Sequence, residues 1–357
     1  MFSLKLKYLF LPLVIVLLLN MVFLGGCGEQ KPVKEQTGST GEKKQIITLR
    51  LASTLPIGHH QTRSCDLFKK LVEERSKGKV KIEHYPAGQL YVDKDLVDVL
   101  PQGGVEMANI NYGMWTGLVP EFGILDFVGL YNNPEHSYRV QDDPEVNKII
   151  GKKLAEKGNA VILAWPGMEA RGPLFVKPVK KLEDLKGLKM RAHSEYCTYW
   201  LKALGASPVL ISSAEVYQAL QRKTIDGVIS GGTSYIDRKF IEVAKYPIGN
   251  VFTLYGPFAL VINKNAWDKL PKDIQEIMLQ AGKEVTAYCR AEAHKAEEAA
   301  WNKMESMPDV RVTYLSEEEL KRWHDLAVPL EIKEFEKRVG KETAAKLLAR
   351  VEALREK

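Results

Sequence analysis

From Lys272 to Ser306 the chain contains no proline and a single glycine, Gly282. Ala, Glu and Lys dominate, and apolar residues recur near every third or fourth position: Ile277, Ala281, Val285, Tyr288, Ala291, Ala296 and Trp301. That spacing predicts one unbroken helix, and at ~1.5 Å per residue it spans roughly 50 Å. Such a rod is longer than a small domain, so it predicts two lobes with the helix laid across both. The 357 residues suffice for two domains with cores that need no disulfide staples.

The rest of the chain alternates strands and helices. Ile47, Leu49 and Leu51 alternate with Thr48 and Arg50, predicting a half-buried strand over Ile46–Ala52. A helix over Thr62–Lys77, stopped by Gly78, leads to strand Val80–Tyr85, a short helix Leu96–Leu100 and strand Val105–Ile110. Two helices around Pro134–Lys157 precede a strand at Ala160–Trp165. This order predicts an α/β lobe with a largely parallel sheet. A second cycle begins near Arg171, with strands at Leu174–Val176, Leu188–Ala192, Val209–Ile211 and Ile225–Ile229. Its helices are marked by Ser194 as N-cap with Gly205 as stop, and by the capping-box pattern Ser212-Ser-Ala-Glu215. Val251–Asn263 reads as one long strand, interrupted by Gly256-Pro257 where it crosses between two sheets. A strand at Val310–Leu315, a helix interrupted at Pro329 and a final helix after Gly340 complete the reading.

The N-terminus sets the compartment. Lys5 and Lys7 precede a twelve-residue apolar run, Tyr8–Leu19, which is too short for a membrane span and fits an export signal. The segment ends in Leu24-Gly25-Gly26-Cys27, which resembles a bacterial lipobox with Cys27 as the lipidated residue. Residues 27–45 contain one large apolar side chain, Val33, and read as a solvated tether. The net charge of +6 includes Lys5 and Lys7, and so small an excess argues against a nucleic-acid partner. The expected organisation is an export signal at 1–26 and a tether at 27–45. A first lobe follows from 46–168 plus 257–296, a second from 169–256 plus 297–340, and a C-terminal helix at 341–357.

Several segments in order carry a family resemblance. They are Leu51-Ala-Ser-Thr-Leu-Pro-Ile-Gly-His59, Tyr85-Pro-Ala-Gly-Gln-Leu90, Gly117-Leu-Val-Pro-Glu-Phe-Gly-Ile-Leu-Asp126, Leu182-Glu-Asp-Leu-Lys-Gly-Leu-Lys-Met-Arg191, Lys202-Ala-Leu-Gly-Ala-Ser-Pro208 and Glu215-Val-Tyr-Gln-Ala-Leu220. Asp226-Gly227 and Lys239-Phe-Ile-Glu-Val-Ala-Lys-Tyr246 continue the series. Together they resemble the DctP-type solute-binding proteins of the tripartite ATP-independent periplasmic (TRAP) transporters. The resemblance implies an α/β, two-lobed, periplasmic-binding-protein-like clam-shell with the long helix spanning both lobes.

A receptor of this kind must desolvate a carboxylate, and a guanidinium forks two parallel hydrogen bonds onto one. Arg191 ends a predicted strand just before the helix N-cap Ser194, where an open α/β sheet binds its ligands. In the resembled family this arginine is the carboxylate clamp and a second lies 20 residues earlier, here Arg171. His59 matches a histidine common in the family's first loop. Asn111 and Tyr112 follow the third strand, and Trp165 ends the strand before Arg171, so all three are candidates for the cleft. After Asp226-Gly227 the family's usual polar pocket residue is absent, and the chain reads Val228-Ile229-Ser230-Gly231-Gly232. Ser230 is a pocket candidate, while the glycines either bring backbone N–H groups to the ligand or make room for a bulkier one. Tyr196, Tyr199, Trp200 and Tyr235 suggest a monocarboxylate with an apolar or aromatic body.

Cys65, Cys197 and Cys289 are expected to be buried free thiols. No nucleotide loop, nucleophile elbow or metal-ligand spacing is present, so neither an enzyme, a cofactor nor a metal is expected. His59-His60 is no metal pair, because adjacent side chains diverge. The expected function is a lipid-anchored, extracytoplasmic receptor that delivers a small organic acid to a TRAP permease. The alternative is a sensor that feeds a signalling partner.

Overall fold

The computed structural model describes residues 46–255 and 257–355. The predicted export signal, Cys27 and the tether lie outside the described residues. The first lobe is built from β1 (Ile47–Ser53), α1 (His60–Arg75), β2 (Val80–Tyr85), α2 (Leu96–Val99), β3 (Met107–Asn111), α3 (Pro134–Asp142), α4 (Pro144–Lys157) and β4 (Ala160–Ala164). The second begins with β5 (Glu169–Arg171), β6 (Pro173–Phe175), β7 (Lys189–Ala192), α5 (Glu195–Ala203) and β8 (Ser207–Leu210). It continues through α6 (Val216–Gln221), β9 (Gly227–Ile229), α7 (Gly232–Asp237), α8 (Phe240–Val243), β10 (Tyr246–Pro247) and β11 (Phe252–Tyr255). The chain then returns through β12 (Phe258–Asn263), α9 (Lys264–Asp268) and α10 (Lys272–Ser306), and ends in α11 (Glu317–Val339) and α12 (Lys341–Ala353).

Each lobe holds a five-stranded sheet, ordered β2-β1-β3-β12-β4 in the first and β10-β6-β9-β7-β8 in the second. In the first, β1 runs parallel to β2 and β3, whereas β12 is antiparallel to both β3 and β4. The sheet is therefore mixed rather than largely parallel. The reason is that β12 re-enters from the other lobe, with Phe258 beside Asn111 at the end of β3, and runs back along the sheet. In the second sheet β7 is parallel to β8 and β9, with β6 antiparallel to β9.

The predicted long strand over Val251–Asn263 is two strands. β11 pairs with β5 in a separate two-stranded ribbon and β12 joins the first sheet, so the chain changes sheets between Tyr255 and Phe258. The predicted strand at Val310–Leu315 is reduced to a single bridge between Thr313 and Ile248, because the adjacent edge strand β10 is only two residues long. Pro329 does not interrupt α11. Pro329 and Asp325, whose carbonyl loses its donor, both lie on the exposed face of the helix.

The long helix α10 is bounded as its composition predicts, and it packs on both lobes. Ile274, Met278, Ala281 and Val285 join the core of β1, β2 and α1, while Trp301 and Met304 join that of Leu174, Val228 and Tyr235. Gly282 lets the helix lie against β4, since a Cβ there would stand 1.9 Å from the Leu163 carbonyl oxygen. We expect Gly282→Ala to force α10 off the sheet at a cost of about 2 kcal/mol, a fall of several degrees in Tm. A melting curve identical to wild type would show that this close approach is dispensable.

Candidate functional site

Arg191 stands at the carboxyl end of β7, between β8 and β9. Its side chain is buried and fixed by two backbone acceptors: Nε donates to Ile211 O at 3.1 Å and Nη1 to Ile229 O at 2.8 Å. Both carbonyls belong to chain leaving neighbouring strands, so the sheet itself aims the guanidinium. Burial pushes its pKa down from the ordinary arginine value, and the Asp93 carboxylate acts against that. The group stays charged at neutral pH, with no carboxylate bonded to it.

It faces a small, partly open cavity of about 30 Å³ between the lobes. Arg191, His193, Ser213, Ser230 and Arg238 line it from the second lobe, and Asn111 from the first. Met168 and Phe258, beside the crossing strands, give it apolar wall. The volume admits about one water, too little for an organic acid in this conformation.

Two contacts hold the lobes together over this cavity. Asp93, between β2 and α2, accepts from Ser212 Oγ at 2.5 Å and from Ser213 Oγ at 2.8 Å. Arg238 donates through Nη1 to Ser213 O at 3.1 Å and through Nη2 to Thr54 O in the first lobe at 2.9 Å. Behind the cavity, His193 Nε2 lies 3.4 Å from Asp126 Oδ1, and both side chains are buried. Burial pushes the His193 pKa down, while Asp126 acts against it.

Of the residues singled out from sequence, Arg191, Asn111 and Ser230 line the cavity. Tyr235 lies beneath it, its hydroxyl accepting from Ser230 N at 3.1 Å and lying 2.7 Å from Gly172 O. Arg171 is placed off the cavity, on β5, with its guanidinium 5.7 Å over the Phe252 ring. Tyr112 and Trp165 pack in the first lobe, where the Tyr112 hydroxyl donates to Leu125 O and Trp165 Nε1 to Asn147 Oδ1. His59 caps α1, its Nδ1 accepting from Gln61 N at 3.2 Å.

The expected aromatic pocket does not form. Tyr196 packs between Phe127 and Phe335, and Trp200 against Trp323, because the apolar face of α5 is covered by α11. The glycines after Ile229 approach a protein group: Gly232 N donates to Glu297 Oε1 at 2.9 Å, and a Cβ on Gly232 would lie 2.8 Å from Trp301 Nε1. Cys65, Cys197 and Cys289 are buried free thiols. Sequence reasoning missed His193, Ser213, Arg238 and Asp93. Ser213 sits inside the capping-box pattern Ser212-Ser-Ala-Glu215, which marks a helix start rather than a pocket, and Arg238 reads as an ordinary arginine at a helix end.

A larger groove of about 630 Å³ runs along β4 between α4 and α10. It is an open surface feature whose cations, Lys283 and Arg290, belong to α10, with Arg290 already paired to Asp142. The small cavity has the buried, oriented charge that recognition of an anion requires.

Residues 51–338 match the DctP family, described as bacterial extracellular solute-binding protein, family 7. The C4-dicarboxylate-binding periplasmic protein DctP of Rhodobacter capsulatus is 31% identical over 79% of this chain and 84% of its own. Among solved structures, a TRAP periplasmic solute-binding protein from Sulfurospirillum deleyianum with bound succinate is 27% identical. It covers 85% of this chain and 98% of its own, with a TM-score of 0.78. Another from Roseobacter denitrificans, with bound β-D-glucuronate, is 26% identical, covers 84% and 98%, and has a TM-score of 0.78. The two lobes, the crossing strands and the long helix are those of a TRAP solute-binding protein. The chain belongs to the DctP family.

The buried histidines generate a pH dependence. Burial lowers the His60 pKa from 6.5 to about 4 and pushes His59 and His193 down as well. The folded state disfavours their charged forms, so this stability is fully present above pH 6.5 and is lost as pH falls toward 4. His60 alone accounts for roughly 3 kcal/mol across that window. Urea unfolding between pH 7.5 and 4.5 should show this decline, with a shallower slope in His60→Gln. Equal slopes in the two proteins would contradict it.

Proposed function

We propose that this protein is an extracytoplasmic receptor that captures a small organic acid between its lobes and presents it to a TRAP-type permease. The observation that carries this reading is Arg191, a buried guanidinium aimed by two strand-end carbonyls into a small interlobe cavity. A carboxylate entering that space meets an oriented, desolvated fork of donors, which strengthens each charge-assisted bond. The open form admits the acid. The acid then stabilises the closed form through contacts that exist only there, and the permease distinguishes the two. Similar solved TRAP solute-binding proteins with bound acids favour delivery to a permease over a signalling partner.

The same reading places a lipid on Cys27, supported by the basic start, the short apolar run and Leu24-Gly25-Gly26-Cys27. The tether of residues 28–45 then holds the receptor near the membrane without embedding it. Cys27→Ser should move the protein from the membrane fraction to the soluble extracytoplasmic fraction. A variant that stays with the membrane would contradict lipidation at this cysteine.

Thermal-shift screening of residues 46–357 against monocarboxylates, dicarboxylates, 2-oxo acids, aromatic acids and sugar acids tests the receptor reading. A ligand that binds only the folded state raises Tm by mass action. We expect a rise with one acid class, and calorimetry with that acid should show Arg191→Ala losing at least ~3 kcal/mol of binding. No rise with any acid would contradict the reading, and full affinity in Arg191→Ala would remove the clamp.

A further inference from the structure

His193 follows β7 in the second lobe and lines the interlobe cavity beside Arg191. Both of its ring nitrogens are buried, and neither has a hydrogen-bond partner. Its neighbour from the first lobe is Asp126, which caps the 3₁₀ turn Pro120–Leu125. Nε2 stands 3.4 Å from Asp126 Oδ1, and both oxygens of that carboxylate also lack a hydrogen-bond partner. A histidine and a carboxylate thus meet at the seam between the lobes, each short of partners, in the wall of the space where an anion would sit.

The groups around His193 decide what a proton on it meets. Burial acts most strongly against a charged ring, Asp126 favours one and Arg191 opposes it, so the histidine titrates below its ordinary value. Arg238, which caps α7, places a second guanidinium on the cavity wall. Asp93 acts on both arginines and Asp237 on Arg238. From α5, Cys197 is a buried thiol that burial keeps neutral. From α11, Glu331 is buried and accepts from Val128 N at 3.1 Å; burial pushes its pKa well up and Asp126 adds to the rise, which favours its neutral form.

The Asp126 oxygen assigns the proton of a neutral His193 ring to Nε2 and leaves Nδ1 a bare acceptor. A carboxylate seated on Arg191 adds a negative charge to the same wall and finds no donor in that nitrogen. A proton on Nδ1 supplies the donor and sets an imidazolium between two carboxylates. Anion and proton therefore favour each other's binding, and the coupling is reciprocal.

We propose that His193, held against Asp126 across the lobes, takes up a proton when the cavity receives its anion, so that capture is tighter in mildly acidic surroundings. This rests on the receptor reading of the same cavity and adds its regulation. The direction follows from linkage. The charged ring is disfavoured without the acid and favoured with it, so affinity is greatest at low pH and falls as pH rises through the titration of the complex. A histidine that only fills the seam would leave affinity independent of its proton.

The test is calorimetric titration with the acid that gives the largest rise in Tm, between pH 6 and 8, in pairs of buffers that differ in ionisation enthalpy. Wild type should take up a fraction of a proton per acid bound, and its Kd should rise at least about three-fold from pH 6 to 8. His193→Gln should show neither the uptake nor the slope, and His193→Asn replaces it should that variant fail to fold. Asp126→Asn removes the charge that supports the imidazolium and should move the dependence to lower pH. No uptake in wild type, the same uptake in a His193 variant, or an unshifted profile in Asp126→Asn would overturn the proposal and leave the receptor reading standing. Binding of no acid at all would remove both.

Discussion

The carboxylate of Glu297 fastens the second lobe to a helix whose other half is packed in the first. It is fully buried and accepts from Arg171 N at 3.1 Å, Gly232 N at 2.9 Å, Thr233 N at 3.2 Å and Trp301 Nε1 at 2.9 Å. Burial raises its pKa, and those four donors act against the rise. A buried carboxylate is tolerable only with its oxygens saturated in this way. The bonds fix the start of α7 and the end of β5 on α10. From that anchor α7 carries Ser234 and is capped by Arg238, while β9, just before it, offers Ile229 O to Arg191. The cavity wall is therefore referenced to a rod that both lobes share.

The same economy governs Arg191. A buried arginine without a carboxylate partner costs free energy unless backbone acceptors hold it, and two strand-end carbonyls do so here. They leave it with no carboxylate bonded to it, and Asp93 offsets its charge only through space. On the proposed reading an anionic solute would complete the site, which is how a binding site differs from a structural ion pair. Exposed pairs such as Arg75 with Glu284 contain both partners already and place no such demand on a ligand.

What could be read in the sequence followed local rules. The helix from Lys272 to Ser306 needs only propensity and the absence of proline, and Ser194, Ser212 and Ser316 mark helix starts through side-chain bonds to backbone a few residues away. Arg191 was legible because its position at a strand end carries the consequence. The direction of β12 was not, since it depends on where the chain returns from the other lobe. Arg238 was not either, because its meaning arises from Thr54, which is 184 positions away. Aromatics misled for a related reason: Tyr196 and Trp200 have helical spacing, and only tertiary packing shows that α11 covers them.

The most direct measurement is a crystal structure with the acid that gives the largest stabilisation. One carboxylate of that acid is expected within hydrogen-bond distance of the Arg191 guanidinium, enclosed between the two sheets. An acid found elsewhere, such as in the groove along β4, with the interlobe cavity holding only water, would contradict it.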